Sequence, residues 1–147
     1  MVWGMISSAG VGPIVRFHGN INASVYKELL RQHALPHLRK GTVETPIFMQ
    51  DNAPCHKAKT VLSFLEEEGI AVMKWPPQSP DMNPIENVWK IIGEKAQNRN
   101  PQNIDDLWGF LKEEWESITT TFCKKLIGSC GRRCTEVIQC KGKFTKY

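Results

Sequence analysis

The sequence predicts an α/β fold, on three observations. Two short apolar runs, "TPIFMQ" and "IAVMKW", flank an amphipathic segment within about thirty residues, the pattern of a strand, a helix and a parallel strand. The chain opens on two apolar runs joined by "SAGVG", which reads as a β-hairpin. From Pro84 onward the apolar residues recur at helical spacing.

Each element has its local reason. "VWGMIS" and "PIVRFHG" are the hairpin strands. Asn22 is placed to cap "ASVYKELLRQHALPHLRK", in which Val25, Leu29 and Leu30 share one face and Pro36 should kink or end the helix. "TPIFMQ" is expected as a buried strand ending at Asp51 in "DNAP", a sequence suited to an Asx-turn. In "KAKTVLSFLEEEG" Val61, Leu62 and Leu65 should point inward, with Gly69 as the stop. "IAVMKW" is a second buried run.

Next comes "PPQSPDMNPIENVW", a stiff, proline-rich approach to a helix with Asn83 as N-cap, Pro84 at the first position and Glu86 at the third, a capping-box arrangement. Ile85, Val88, Trp89 and Ile92 fall on one side of that helix. "NIDDLWGFLKEEWESI" repeats the pattern through Leu107, Phe110 and Leu111, and Thr119 to Thr121 can cap a further helix toward Ile127. Trp75, Trp89, Trp108 and Trp115 read as core residues among apolar neighbours.

Composition bounds the class. At 147 residues, with 41% hydrophobic and 23% charged residues, the chain suits one globular domain. No apolar run approaches the roughly 20 residues of a membrane span, and the first ten residues lack a leader's pattern, so the reading is of a soluble, intracellular protein with no membrane partner. Cys55, Cys123, Cys130, Cys134 and Cys140 include no CxxC and read as reduced, structural thiols. His33 with His37, and Cys130 with Cys134, have the spacing of metal ligands on one helix face, but Pro36 interrupts the first pair.

The net charge of +4 is unevenly spread: residues 121–147 hold seven Lys or Arg against one acid, or +6, and the remainder sums to −2. Such a basic tail, with Lys124, Lys125, Arg132, Arg133, Lys141 and Lys143, fits either phosphate contacts on a nucleic acid or a solvated terminus.

Asp51 heads "DNAPCH" at a strand's carboxyl end, where open α/β sheets bind ligands. Glu86 ends "SPDMNPIE", and 34 residues lie between the two acids. Together with "MVWGMISSAGVGP", "WPPQSPDMNPIENVW", "PQNIDDL" and "KGKFTKY", these segments resemble, in order and along nearly the whole chain, the catalytic domain of mariner-superfamily transposases of the worm-type branch.

The resemblance implies an RNase H-like fold whose Asp, Asp and Glu hold two Mg2+ or Mn2+ ions, with Asp51 and Glu86 at the second and third acidic positions as catalytic and metal-ligating residues. It implies DNA as partner, admits a homodimer or an association with a full-length transposase, and places the protein in the nucleus. His56 resembles a histidine near the site that touches substrate or orders the loop; Asn52 and Asn83 are loop and cap residues able to orient the carboxylates.

The first acidic position has no counterpart, because the family places it on a central strand immediately before the segment matched by "MVWG". Asp81 lies in the proline loop at a position outside the triad. The expectation is therefore a single truncated catalytic domain, related to enzymes of DNA cleavage and strand transfer but without nuclease activity from these residues alone. The alternative is a non-catalytic nucleic-acid-binding or interaction module derived from a transposase. With the central strand absent, the opening hairpin is expected to be poorly anchored or to pair beside "TPIFMQ".

Overall fold

The computed structural model describes residues 1–40, 46–74 and 79–140, with the backbone alone at Asp81. The chain forms two units, Met1–Trp3 with Phe17–Gln78 and Gly4–Arg16 with Ser79–Tyr147. A hairpin of β1 (Val2–Ser7) and β2 (Gly10–Arg16) contributes to both. Its turn is closed by Ser7, whose Oγ accepts from the Ala9 N–H at 3.2 Å, and Gly10 takes a positive φ of 123°.

In the first unit, α1 (Ala23–Leu29) starts at Asn22, whose Oδ1 accepts from the Val25 N–H at 2.9 Å. The helix does not stop at Pro36. A wider π turn, Leu30–Ala34, carries it into α2 (Leu35–Lys40), with the Leu35 N–H reaching back five residues to the Leu30 carbonyl. Proline has no N–H to give to an α-helical ladder, and the looser turn before it accommodates the ring without ending the helix. Tyr26, Leu29, Leu30, Ala34 and Leu35 are buried, whereas Val25 is exposed, so the inward stripe is set by Tyr26.

Strand β3 (Ile47–Phe48) pairs in parallel with β4 (Ala71–Val72), joined through α3 (Lys59–Glu67), the expected βαβ unit. Gly69 (φ 71°) ends α3 with the Ile70 N–H on the Leu65 carbonyl and its own N–H on that of Glu66, a Schellman motif. Val61, Phe64 and Leu65 are buried and face α1, while Leu62 is exposed, contrary to expectation.

The strands are not wholly buried either. Ile47 is 65% exposed, and its register partner Ala71 is also exposed, while Phe48 is buried. A pleated strand sends alternate residues to opposite faces, so the pair has one covered face, a distinction that a continuous apolar run cannot signal.

In the second unit, a 3-10 turn (Pro80–Met82) leads into α4 (Pro84–Asn98), followed by α5 (Ile104–Glu116), α6 (Thr120–Gly128) and α7 (Cys130–Gln139). Asn103 caps α5 through the N–H groups of Asp105 and Asp106, Thr119 caps α6 through that of Phe122, and Asn100 (φ 53°) lies just past the end of α4. The core is Val88, Ile92 and Trp115. Leu107, Phe110 and Leu111 are half-buried, and the Arg99 guanidinium lies 3.9 Å from the centre of the Phe110 ring.

The opening hairpin is firmly held, which corrects the expectation of a loose one. Trp115, stacked on Trp89 with ring centroids 5.0 Å apart, donates its indole N–H to the Gly12 carbonyl at 2.9 Å, and Thr120 Oγ1 lies 3.4 Å from the Ala9 carbonyl. Gly4 lies against both indoles. Nor, among the described residues, does the hairpin pair with β3: β1 pairs with β2, and β3 with β4. Trp75, the prolines at 76 and 77, and Lys141 and Lys143 lie outside the described residues.

Candidate active site

Asp51 follows β3 in the first unit. Its Oδ1 accepts the Ala53 N–H at 2.9 Å, the Asx-turn that "DNAP" predicts, and lies 2.6 Å from His56 Nδ1. A carboxylate only accepts, so the His56 Nδ1–H is the donor and Nε2 is the remaining ring nitrogen. Both bonds fall on Oδ1; among the described residues Oδ2 accepts none. The Asp51 side chain is 58% exposed and that of His56 17%.

His56 is itself supported from the core. Its ring packs on buried Tyr26, with centroids 4.1 Å apart. The Tyr26 hydroxyl donates to Gln50 Oε1 at 2.8 Å, and Gln50 Nε2 donates to the His56 carbonyl at 3.3 Å. Burial pushes the Tyr26 phenol far up from its ordinary value, against a smaller opposing hydrogen bond with Trp3. Tyr26 and Gln50 are missed by sequence reasoning: Tyr26 reads as one more helix-face residue, and its bond to Gln50 spans 24 positions.

Glu86 lies in the first turn of α4 in the second unit, exposed, with its N–H on the Asn83 carbonyl at 3.2 Å. The expected cap takes another form. Asn83 makes no side-chain bond to the helix backbone, and its Nδ2 instead lies 3.5 Å from Glu86 Oε1. Pro84, buried at the first helical position, needs no donor partner there.

The next residue, Asn87, is tied to α7. Arg133, only 2% exposed, donates to Asn87 Oδ1 at 2.5 Å and to Ser129 Oγ at 2.9 Å. Arg133 is therefore an interior cation that fastens the turn carrying Glu86, not one of the surface cations expected of a basic tail. A charge count cannot see this, because Asn87 lies 46 residues away. Lys124, Lys125 and Arg132 are exposed. Among the described residues no group of three or more His, Cys, Asp or Glu is arranged to hold a metal ion, and all five cysteines are free.

The profile of the family described as DDE superfamily endonuclease matches residues 1–108, well over half of the chain. The chain belongs to that family. Over all 147 residues it is 34% identical to the transposable element Tcb1 transposase of Caenorhabditis briggsae, and over 151 aligned positions 34% identical to the Tc1 transposase of Caenorhabditis elegans. In each case the whole chain aligns and covers 54% of the relative, so it spans about half the length of these curated transposases.

Among solved structures, the fold matches the Mos1 transposase catalytic domain with raltegravir and Mg, at a TM-score of 0.82 and 20% identity over 99% of this chain and 76% of that one. It also matches the Mos1 mariner paired-end complex with Mn at a TM-score of 0.84 and 22% identity, over 99% of this chain and 44% of that one. The architecture is that of the Mos1 catalytic domain, an RNase H-like fold. No helix among the described residues is long and apolar enough to cross a membrane.

Proposed function

We propose that the chain contributes to a centre of DNA cleavage and strand joining in transposition, with Asp51 and Glu86 as ligands of a divalent cation. The observation that carries this reading is the Asp51 carboxylate: it is fixed just after a parallel strand by two bonds to one oxygen, while the other oxygen, on an exposed side chain, accepts none among the described residues. The donor set suits the metal. Carboxylate oxygens are hard ligands, and Mg2+ commonly takes one or two of them alongside phosphate and water.

A pair of such ions supplies an activated hydroxyl nucleophile and stabilisation of the leaving oxygen in a displacement at phosphorus. The chain's own residues hold the geometry. Asp51 is oriented by the Ala53 N–H and His56. Glu86 sits at a helix N-terminus, where the backbone dipole favours an anionic group, and its turn is fastened through Asn87 to buried Arg133. Exposed Lys124, Lys125 and Arg132 would contact DNA phosphates without reading sequence.

Titration of the 15N-labelled chain with Mn2+ tests the two acids as ligands. Amide signals near Asp51 and near Glu86 should broaden together, and an Asp51→Asn variant should lose both effects. Broadening at one acid alone, or in the variant as in the parent, would overturn the reading.

The alternative of a non-catalytic nucleic-acid module draws on the exposed Lys124 and Lys125 of α6. It predicts DNA binding that persists in Asp51→Asn and weakens steeply with salt. Absence of DNA binding at low salt would dismiss it.

A further inference from the structure

Resting on the reading above, we propose that His56 is a positioning residue for Asp51: its Nδ1–H sets the plane of the carboxylate so that Oδ2 is presented to the cation. The Asx-turn alone is not sufficient for this. One bond from the Ala53 N–H restricts the side chain, but the terminal torsion of an aspartate is broad and roughly two-fold. A second donor on the same oxygen, His56 at 2.6 Å, narrows that torsion and makes the two oxygens inequivalent. The distinction matters for Mg2+, which requires near-octahedral geometry and sheds water reluctantly.

The imidazole can act as a rigid reference because it is built into the fold. Its ring lies on Tyr26, which is 1% exposed, and its own carbonyl is reached by Gln50, which in turn accepts from the Tyr26 hydroxyl. A continuous route of contacts therefore runs from the α1 core to the carboxylate. A histidine whose work was to meet a DNA phosphate would need no bond from Nδ1 to the metal-ligating acid. Partners that orient metal ligands in this way commonly contribute 10- to 100-fold to metal affinity.

Two substitutions separate the donor from the ring. His56→Asn keeps an N–H near the position of Nδ1 and loses the ring; His56→Phe keeps a ring against Tyr26 and loses the donor. Mn2+ affinity is read by electron paramagnetic resonance on the 147-residue chain. His56→Asn should bind within about 3-fold of the parent and His56→Phe about 10- to 100-fold more weakly.

A metal-free readout accompanies it. Crystal structures of the metal-free proteins should show one orientation of the Asp51 carboxylate plane in the parent and in His56→Asn, and a rotated or multiple one in His56→Phe. If His56→Phe matches the parent in both readouts while Asp51→Asn loses Mn2+, the positioning role is wrong and the metal site stands. If His56→Asn fails as badly as His56→Phe, the Nδ1 donor is not the determinant and the inference also falls. If Asp51→Asn binds Mn2+ like the parent, the metal-site reading itself fails. If the variants weaken DNA binding but leave Mn2+ affinity and the carboxylate plane unchanged, His56 is a phosphate contact and the positioning role is overturned.

Discussion

Replacing Gly4 by alanine should destabilise the second unit by about 2–4 kcal/mol. A methyl group on Gly4 would come within 2.8 Å of Trp115 Cη2 and 2.9 Å of Trp89 Cη2, closer than real carbon contacts allow. Neither indole can give way cheaply, since they stack on each other and Trp115 is 1% exposed with its N–H bonded to the Gly12 carbonyl. Overpacking of a core typically costs about 1–3 kcal/mol, and disturbing the indole bond adds about 1 kcal/mol. For a chain of this size that corresponds to a fall in Tm of roughly 5–15 °C. Thermal unfolding followed by tryptophan near-UV circular dichroism reads both the Tm and the indole environment. Gly109, inside α5 with nothing within 4 Å of an added Cβ, is the control. Gly109→Ala should stabilise by about 0.5–1 kcal/mol through helix propensity alone. A Gly4→Ala protein as stable as the parent would refute the reasoning that the hairpin is clamped by the two indoles.

Arg133→Met should cost about 1–3 kcal/mol in urea unfolding, because the lost charge-assisted bonds outweigh relief from burying a cation; a double-mutant cycle with Asn87→Ala should show coupling above about 0.5 kcal/mol, and strict additivity would remove the clamp. Tyr26→Phe should lose about 1 kcal/mol at neutral pH with the bond to Gln50. It should also flatten the alkaline limb of stability. Burial raises the folded phenol above its ordinary 10.0, so the unfolded chain releases its proton first. The parent should therefore keep this contribution below pH 10 and lose about 1.4 kcal/mol per pH unit above it relative to Tyr26→Phe. Parallel alkaline limbs would show that Tyr26 ionises freely. Among the thiols, exposed Cys134 and Cys140 should react promptly with a disulfide reagent, and buried Cys123, its pKa raised by desolvation, only on unfolding; equal rates would contradict the packing of α6.

Much of the backbone plan can be read from residues whose signals are local. Gly69 stops α3, Asn22 and Thr119 cap their helices, and two apolar runs around α3 form the parallel pair. Phase within a helix is less legible. Val25 and Tyr26 lie on adjacent flanks of α1, and Leu62 and Phe64 nearly opposite each other on α3; in both helices the face that carries the aromatic is the buried one, burying the larger apolar surface. The site divides in the same way. Asp51 and Glu86 stand in recognisable motifs, and the Asx-turn follows from "DNAP". The Asp51–His56 bond spans only five residues and is within reach of a local reading, whereas Tyr26 bonds Gln50 beside Asp51, and Arg133 bonds Asn87 beside Glu86, across 24 and 46 positions.

The bonds from Trp115 to Gly12 and from Thr120 to Ala9 join positions 103 and 111 residues apart. A growing chain emerges amino end first at about 5–20 residues per second, so the hairpin waits roughly 5–20 s for its partners. An isolated two-stranded hairpin is at best marginally stable in water. The residues that complete the first unit, Phe17–Gln78, are all made during that interval, so the second unit, begun at Gly4, closes only after them. Between those two moments the apolar residues of β1 and β2 lack the indole and threonine contacts that hold them in the folded chain.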